Sequence, residues 1–292
     1  MNSNSFSRLA LGTVQFGLPY GINNTNGKVN QSEIKQILQA ALQSRINLID
    51  TAEAYGNAEH QIGQFVKEHP EALITFNMVS KCYTANGVFY ADSALATMRR
   101  MNMNQLYGYL LHDFSIVRNN KNYINEFLSL KNKCPIKKIG FSLYYTKDLE
   151  FLLENQFVFD LIQIPFNIFD QRFAAYFSEL KRRNIEIHSR SCFLQGLFFM
   201  GVEYLPVKLK PLADKVKAIQ QVGILNSISV ESLALGFNFS FPEIDRVIIG
   251  VNNFKNFTDN LNACNQWVSP VIITELRKLR EDDEQLILPI NW

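Results

Sequence analysis

The 292-residue chain is 47% hydrophobic and 19% charged, which is enough apolar material to bury one large core. Its 29 Lys plus Arg nearly balance 27 Asp plus Glu, with no basic block or stripe. Nucleic acid and anionic membranes are therefore not recommended as partners, and a small molecule is expected instead. Cys82, Cys134, Cys192 and Cys264 are scattered without a CxxC pair, as packed thiols in a reducing compartment would be. The opening MNSNSFSRLA lacks a signal-peptide pattern, and apolar runs of about ten residues are too short to span a bilayer, so a cytoplasmic location is expected.

Along the chain, short apolar β-rich segments alternate with longer helical patterns. The spacing predicts strands at Leu9–Val14, Ile46–Ile49, Leu73–Ser80, Leu106–Leu111, Ile136–Ser142, Leu161–Ile164, Ile185–Ser189 and Val247–Ile249. Helices are predicted at Ser32–Gln43, Ala58–Glu68, Ala91–Met103, Tyr123–Lys131, Lys147–Glu154, Gln171–Arg183 and Phe254–Cys264. Ser32 with Glu33, and Thr146 with Asp148, are plausible helix starts. Continuously apolar strands suit a parallel sheet covered on both faces. Eight such units point to a single-domain (β/α)8 barrel over 1–292, although a doubly wound open sheet remains compatible with the pattern. No GxGxxG follows the first strand, and Gly12–Gly17 is followed by Leu18-Pro19 rather than Lys-Ser/Thr, so neither nucleotide-loop signature applies.

In a barrel, function belongs at the C-terminal strand ends. Asp50, Lys81, His112, Ser142, Gln163 and Arg190-Ser191 all fall there, and Tyr55 follows Asp50 by five residues. Each alone could be bland: a strand-end Asp often caps, a loop Tyr often packs, a lone His often satisfies a local bond. Together they share a chemical purpose. Carbonyl reduction needs a hydride donor at carbon and an acid at oxygen, and a tyrosine is a neutral, well-aimed donor. A neighbouring lysine favours its phenolate. That lysine, if buried, needs a carboxylate, which Asp50 supplies. His112 can donate to and orient the carbonyl oxygen.

With these residues the chain resembles the aldo-keto reductases. The resemblance runs over nearly the whole chain: LALGTVQFG (9–17), NLIDTAEAYG (47–56), VSK (79–81), LLHDF (110–114), IGFS (139–142), QIPFNIFDQR (163–172), HSRSCFLQGLF (188–198) and VIIGVNNFKNFTDNL (247–261). It implies a barrel binding NAD(P)H without a Rossmann domain and transferring hydride directly to a carbonyl substrate. It implies Tyr55 as general acid, Lys81 as modulator, Asp50 as the lysine's partner and His112 as substrate orienter. Ser142 and Gln163 match the holders of the nicotinamide carboxamide, although Leu143 stands where the family often has Asn. Gly12, Thr13 and Asp50 belong to the same cofactor group. Arg190 falls where many members stack an aromatic ring, with a structural ion pair as its bland alternative. Ser191, Phe193, Gln195 and Gly196 match the pyrophosphate-side loop. Where many members carry Lys and Arg for the 2′-phosphate of NADP(H), this chain has Gly250 and Asn256, with Lys255 adjacent. Asn252, Asp259 and Asn260 fall at ribose, phosphate and adenine positions. NADP is the expected cofactor with NAD possible, and a dianion without an Arg clamp is held weakly, so discrimination against NADH should be weakened unless another cation substitutes.

The four histidines, His60, His69, His112 and His188, have no metal-ligand spacing, and no metal is expected. Phe16, Tyr20, Tyr83, Phe114 and Phe166 follow strands and are candidate walls of the substrate site or core filler. CFLQGLFFM (192–200) reads as core packing, 201–215 as a surface loop able to close over cofactor, and LRKLREDDEQ as a solvated terminal helix. A polar loop at 113–122 and a short tail ending in Trp292 favour an open, polar substrate site suited to a sugar-like carbonyl. Two other classes remain: a cofactor-binding redox-sensing or scaffold barrel, and a lyase or isomerase using Lys81 as a Schiff-base nucleophile. The second is disfavoured because Asp50 keeps that amine protonated.

Overall fold

The computed structural model describes residues 5–83, 90–118 and 120–292. Eight parallel strands close a barrel in sequence order: β1 Leu9–Gly12, β2 Leu48–Asp50, β3 Asn77–Cys82, β4 Leu106–Leu111, β5 Ile136–Ser142, β6 Leu161–Pro165, β7 Glu186–Arg190 and β8 Arg246–Gly250. Closure is made by β8 against β1, with Ala10 opposite Ile248 and Gly12 opposite Gly250.

Alternation along each strand explains the continuous apolar runs. Ala10, Leu48, Val79, Leu110, Leu161 and Ile248 point inward and plug the barrel. Their neighbours Leu9, Leu11, Ile49, Ile162, Ile164, Val247 and Ile249 join the larger core beneath the helices. With both faces dry, strand register is strongly specified. Gly140 allows β5 and β6 to approach: a Cβ there would lie 1.6 Å from the Leu161 carbonyl oxygen.

Strands β4 and β5 and the helix Ala58–Glu68 have the predicted bounds. The predicted strand at Leu73–Ser80 is shifted, because Ala72–Thr75 forms a helical turn and β3 begins at Asn77. Lys81 is therefore inside the strand rather than after it. The first helix starts at Gln31, and Asn30 rather than Ser32 caps it: the Asn30 side chain accepts from Glu33 N at 3.0 Å and donates to Glu33 Oε2 at 2.8 Å. Thr146 opens Thr146–Glu154 without a side-chain cap bond, and Asp148 instead pairs with Arg118 at 2.6 Å.

Two further helices, Ala213–Asn226 and Val230–Phe239, lie between β7 and β8. Segment 201–215 is not an open loop but short turns leading into the first of these helices, with Leu205, Leu209 and Leu212 buried. LRKLREDDEQ is not a helix either: Pro270–Arg277 ends within it, and a short turn follows at Glu284–Ile287. No single described helix is long and apolar enough to cross a membrane. One pair, Val207–Asn226 with Val230–Phe239, has the composition but is bent by 100°, and Leu233, Leu235 and Phe237 are spent in the core.

Gly140→Ala should destabilise the fold by more than about 3 kcal/mol, because a methyl inserted against backbone cannot be relieved by a rotamer change. Urea unfolding measures it; a loss under about 1 kcal/mol would contradict the close β5–β6 approach.

Candidate active site

Asp50 ends β2 with its side chain inside the barrel mouth, where only 3% of the residue is exposed. A carboxylate so placed must be paired. Lys81, fully buried on β3, donates to Asp50 Oδ1 at 2.6 Å and to the Thr51 carbonyl at 2.8 Å. Gln163 on β6 donates from Nε2 to Asp50 Oδ2 at 2.7 Å. The Asp50 carbonyl accepts from Thr13 N at 3.0 Å and Thr13 Oγ1 at 2.9 Å.

The third donor direction of Lys81 reaches Tyr55 OH at 3.4 Å. Tyr55 sits in a turn fixed by two glycines. A Cβ at Gly17 would stand 1.7 Å from the Tyr55 carbonyl, and Gly56 adopts φ +55° with its Cβ position 2.7 Å from Gly17 O. Only bare backbone allows the turns after β1 and β2 to press together. His112, directly after β4, meets the Tyr55 ring edge-on at 5.7 Å and the Tyr83 ring at 5.8 Å.

Burial raises the Tyr55 hydroxyl well above its ordinary value; Asp50 adds to the rise and Arg190 opposes it. Burial pulls Lys81 below its ordinary value, against the raising effect of Asp50. Burial, with Lys81 and Arg190 nearby, lowers His112 to about 3, so its imidazole is neutral at any ordinary pH. The Lys81 charge, expected to lower Tyr55, is bound up with Asp50, and Arg190 is the cation that pulls Tyr55 down.

A cavity of about 630 Å³ opens over this cluster. Every predicted site residue except Lys81 lines it; Lys81 lies beneath. Gly12, Thr13, Asp50, Tyr55, His112, Ser142, Gln163 and Arg190 form its floor and catalytic end. Ser191, Phe193, Gln195 and Gly196 line it from the loop after β7, and Gly250, Asn252, Asn256, Asp259 and Asn260 from the segment after β8. Arg190 lies over the Tyr144 ring, its guanidinium carbon 4.0 Å from the ring centroid, and donates to the Leu143 carbonyl at 3.2 Å. Among the described residues no carboxylate pairs with it, so the ion-pair reading of Arg190 is set aside.

The loop after β7 turns sharply, with Ser191, Leu194 and Gln195 at φ 60°, 46° and 56° and Gly196 at 88°. It meets the loop after β1: Gln195 Nε2 donates to Tyr20 OH at 3.0 Å, and a Cβ at Gly196 would stand 2.8 Å from Asn23 Cβ. Asn23, Thr25 and Asn26 line the cavity from that first loop, and Gln15, Glu231 and Asn253 line it elsewhere. The polar run GINNTNG after the first strand was the available signal for the first group. Of the aromatics left open between wall and core, Tyr20 is a wall and Tyr83 faces His112, whereas Phe16, Phe114 and Phe166 are core. Neither Trp292, whose Nε1 bonds the Leu286 carbonyl at 3.1 Å, nor any described residue of 113–122 or 201–215 lines the cavity.

Fold and site together define a (β/α)8 barrel with a buried ionic cluster under a large cavity at its C-terminal mouth. The structure is similar to a holo-form aldo-keto reductase of Bacillus halodurans, with a TM-score of 0.75 and 18% identity over 94% of this chain and 92% of that one. It is also similar to an aldo/keto reductase of Klebsiella pneumoniae in complex with NADP and acetate, with a TM-score of 0.70 and 18% identity over 93% and 90% of the two chains. At such identities the likeness carries the fold. No curated protein matches the sequence. The model of the Aldo/keto reductase family matches residues 8–281, and the chain belongs to that family; it is an NAD(P)H-dependent oxidoreductase of carbonyl compounds.

Lys81→Met strands the Asp50 carboxylate and should cost about 3–5 kcal/mol of stability. Adding Asp50→Asn should recover part of it. Urea unfolding of both variants checks this, and a single-variant loss below about 1 kcal/mol would show the pair to be solvated.

Proposed function

We propose that the chain reduces a small, polar aldehyde or ketone, with Tyr55 as the proton donor to the carbonyl oxygen. The observation that carries this reading is the convergence of Lys81, Tyr55 and His112 on one end of the cavity, with Lys81 Nζ 3.4 Å from Tyr55 OH. A nicotinamide cofactor fits the residues present. Gln163 Oε1 is buried without a partner because its Nε2 is committed to Asp50, which leaves an acceptor for a carboxamide N–H. Gly12 and Gly250 line the cavity where strands and side chains are closely packed: a Cβ at Gly12 would meet Ile248 at 3.0 Å, and one at Gly250 would meet Gln15 at 2.8 Å. Ser142 and Gln163 would hold the nicotinamide, with the loop 191–196 along the pyrophosphate.

A reduced nicotinamide bound there supplies the hydride. The chain's own work is to position the carbonyl and manage its proton. His112, neutral and with Nδ1 buried and unpartnered, orients the carbonyl oxygen. Tyr55, held protonated by burial, gives its proton to that oxygen as negative charge develops on it. Lys81 and Arg190 then stabilise the phenolate for as long as it lasts. The hydroxyl-bearing Tyr20 and Tyr144, which line the cavity near Tyr55, support a hydroxylated, sugar-like carbonyl over a steroid-like one.

Tyr55→Phe should bind reduced cofactor as the parent does and lose turnover by about 10²–10⁴-fold across a panel of keto sugars, aldehydes and apolar ketones. Normal turnover would remove Tyr55 from the chemistry, and a panel in which only bulky apolar ketones react would overturn the substrate class.

Between about pH 5 and 9 the reduction rate should show no inflection from His112 or Tyr55, because one stays neutral and the other protonated there; a decline at the alkaline end would report Lys81, which burial pulls below its ordinary value. An inflection near the ordinary histidine value would mean that His112 changes charge during turnover.

A further inference from the structure

We infer that the end of the cavity away from Tyr55 takes an adenosine ribose with a free 2′-hydroxyl, making NADH the preferred cofactor, and that Glu231 and Asp259 set the preference. The inference rests on the nicotinamide reading of the cavity given above and narrows it.

Charge is distributed unevenly along the cavity wall. Among the described residues that line it, Arg190 is the one lysine or arginine. It belongs to the catalytic end: it lies over Tyr144 and its field reaches Tyr55, Lys81 and His112. At the other end the charged wall residues are Glu231, in the first turn of Val230–Phe239, and Asp259, on Phe254–Ala263. Glu231 makes no hydrogen bond or ion pair with any described residue. Lys255 is the cation near both carboxylates, but it is tied to Asp259 at 2.7 Å and its side chain is 80% exposed. The local balance is one lysine against two carboxylates before any ligand arrives.

A dianionic 2′-phosphate fits such a place poorly. It needs a guanidinium or several free N–H donors. The helix Phe254–Ala263 begins here, and a helix start can hold phosphate, but its amides are partly used. Phe254 N donates to Glu33 Oε1 at 3.3 Å, and Asn256 N donates to the Asn253 side chain at 2.7 Å. Glu33 thereby brings a third carboxylate to the same turn. A ribose diol reverses the requirement, since two hydroxyl donors are well matched by carboxylate acceptors. The same chemistry separates the two cofactors in dinucleotide folds of other architecture, where an acidic side chain takes the 2′-hydroxyl and an arginine the 2′-phosphate.

The test is equilibrium titration of the intact protein with NADH and with NADPH, followed by calorimetry. The parent protein should bind NADH at least about tenfold more tightly. Glu231→Gln and Asp259→Asn, two independent positions, should each narrow that ratio by strengthening NADPH binding. Lys255→Met should leave the ratio within about twofold, because an exposed lysine held by a neighbour contributes little. NADPH binding as tight as NADH, or a ratio unmoved by both carboxylate variants, would overturn the inference while leaving the oxidoreductase reading intact. So would a loss of NADPH affinity of about tenfold in Lys255→Met, which would make that lysine the phosphate clamp. If neither cofactor binds, the nicotinamide reading of the cavity fails and takes the inference with it.

Discussion

A charged lysine buried inside the barrel mouth is tolerable only against a carboxylate, and much of the site is arranged around that requirement. Every oxygen of Asp50 is engaged. Its two carboxylate oxygens accept from Lys81 and Gln163, and its carbonyl accepts twice from Thr13. Strands β2, β3 and β6 and the turn after β1 are thus joined through one residue. The register of these strands is also the register of the dry plug below, so an error of one position would both turn Leu48 or Val79 out of the plug and break the ion pair. Stability and site geometry are fixed by the same pairing of strands.

The two ends of the barrel show what that arrangement is for. At the N-terminal end, burial would raise the Glu186 carboxylate, but hydrogen bonds from His188, Lys138 and Tyr107 hold it well below its ordinary value. Apart from His188 Nδ1, that cluster is satisfied by its own members. At the C-terminal end, Gln15 Oε1, His112 Nδ1 and Gln163 Oε1 are buried and unpartnered and all three residues line the cavity. Each such atom costs about 1–3 kcal/mol if nothing meets it. Asn47 Oδ1, Thr51 Oγ1, Tyr90 OH, His188 Nδ1 and Asn238 Oδ1 are also buried without a partner, but the three at the mouth belong to residues that line one cavity, where a ligand can meet them.

Asp50, Tyr55, Lys81 and His112 were legible in the sequence because a parallel barrel turns strand ends into neighbours, so one-dimensional position carried three-dimensional meaning. Where side-chain direction depends on the path of a loop, that advantage disappears. Phe16 and Tyr20 both follow β1, yet one is core and one is wall, and nothing in their spacing separates them. The apolar run from Leu73 concealed a helical turn, because short apolar segments have no decisive period. Glu231 was missed for a different reason: it stands on a helix outside the barrel and reaches the cavity only through the packing of Val230–Phe239 beside Phe254–Ala263. Gly250 and Asn256 were read from the sequence as departures from the family pattern, but the carboxylates that line the cavity with them are a tertiary fact.

The same limit applies to electrostatics. Lysine beside tyrosine reads, in sequence, as a lowered phenol. In the folded chain burial is the largest effect and acts the other way, and the carboxylate that makes the lysine tolerable also opposes phenolate. On the proposed mechanism this is an asset. A phenol held firmly protonated is a weak acid toward a neutral carbonyl but a competent one toward an oxygen acquiring alkoxide charge, whose basicity rises as hydride arrives. Proton transfer is then tied to the progress of reduction rather than to ambient pH. The cations Lys81 and Arg190 contribute chiefly when the phenolate exists, which is the moment at which stabilisation lowers the barrier rather than the ground state.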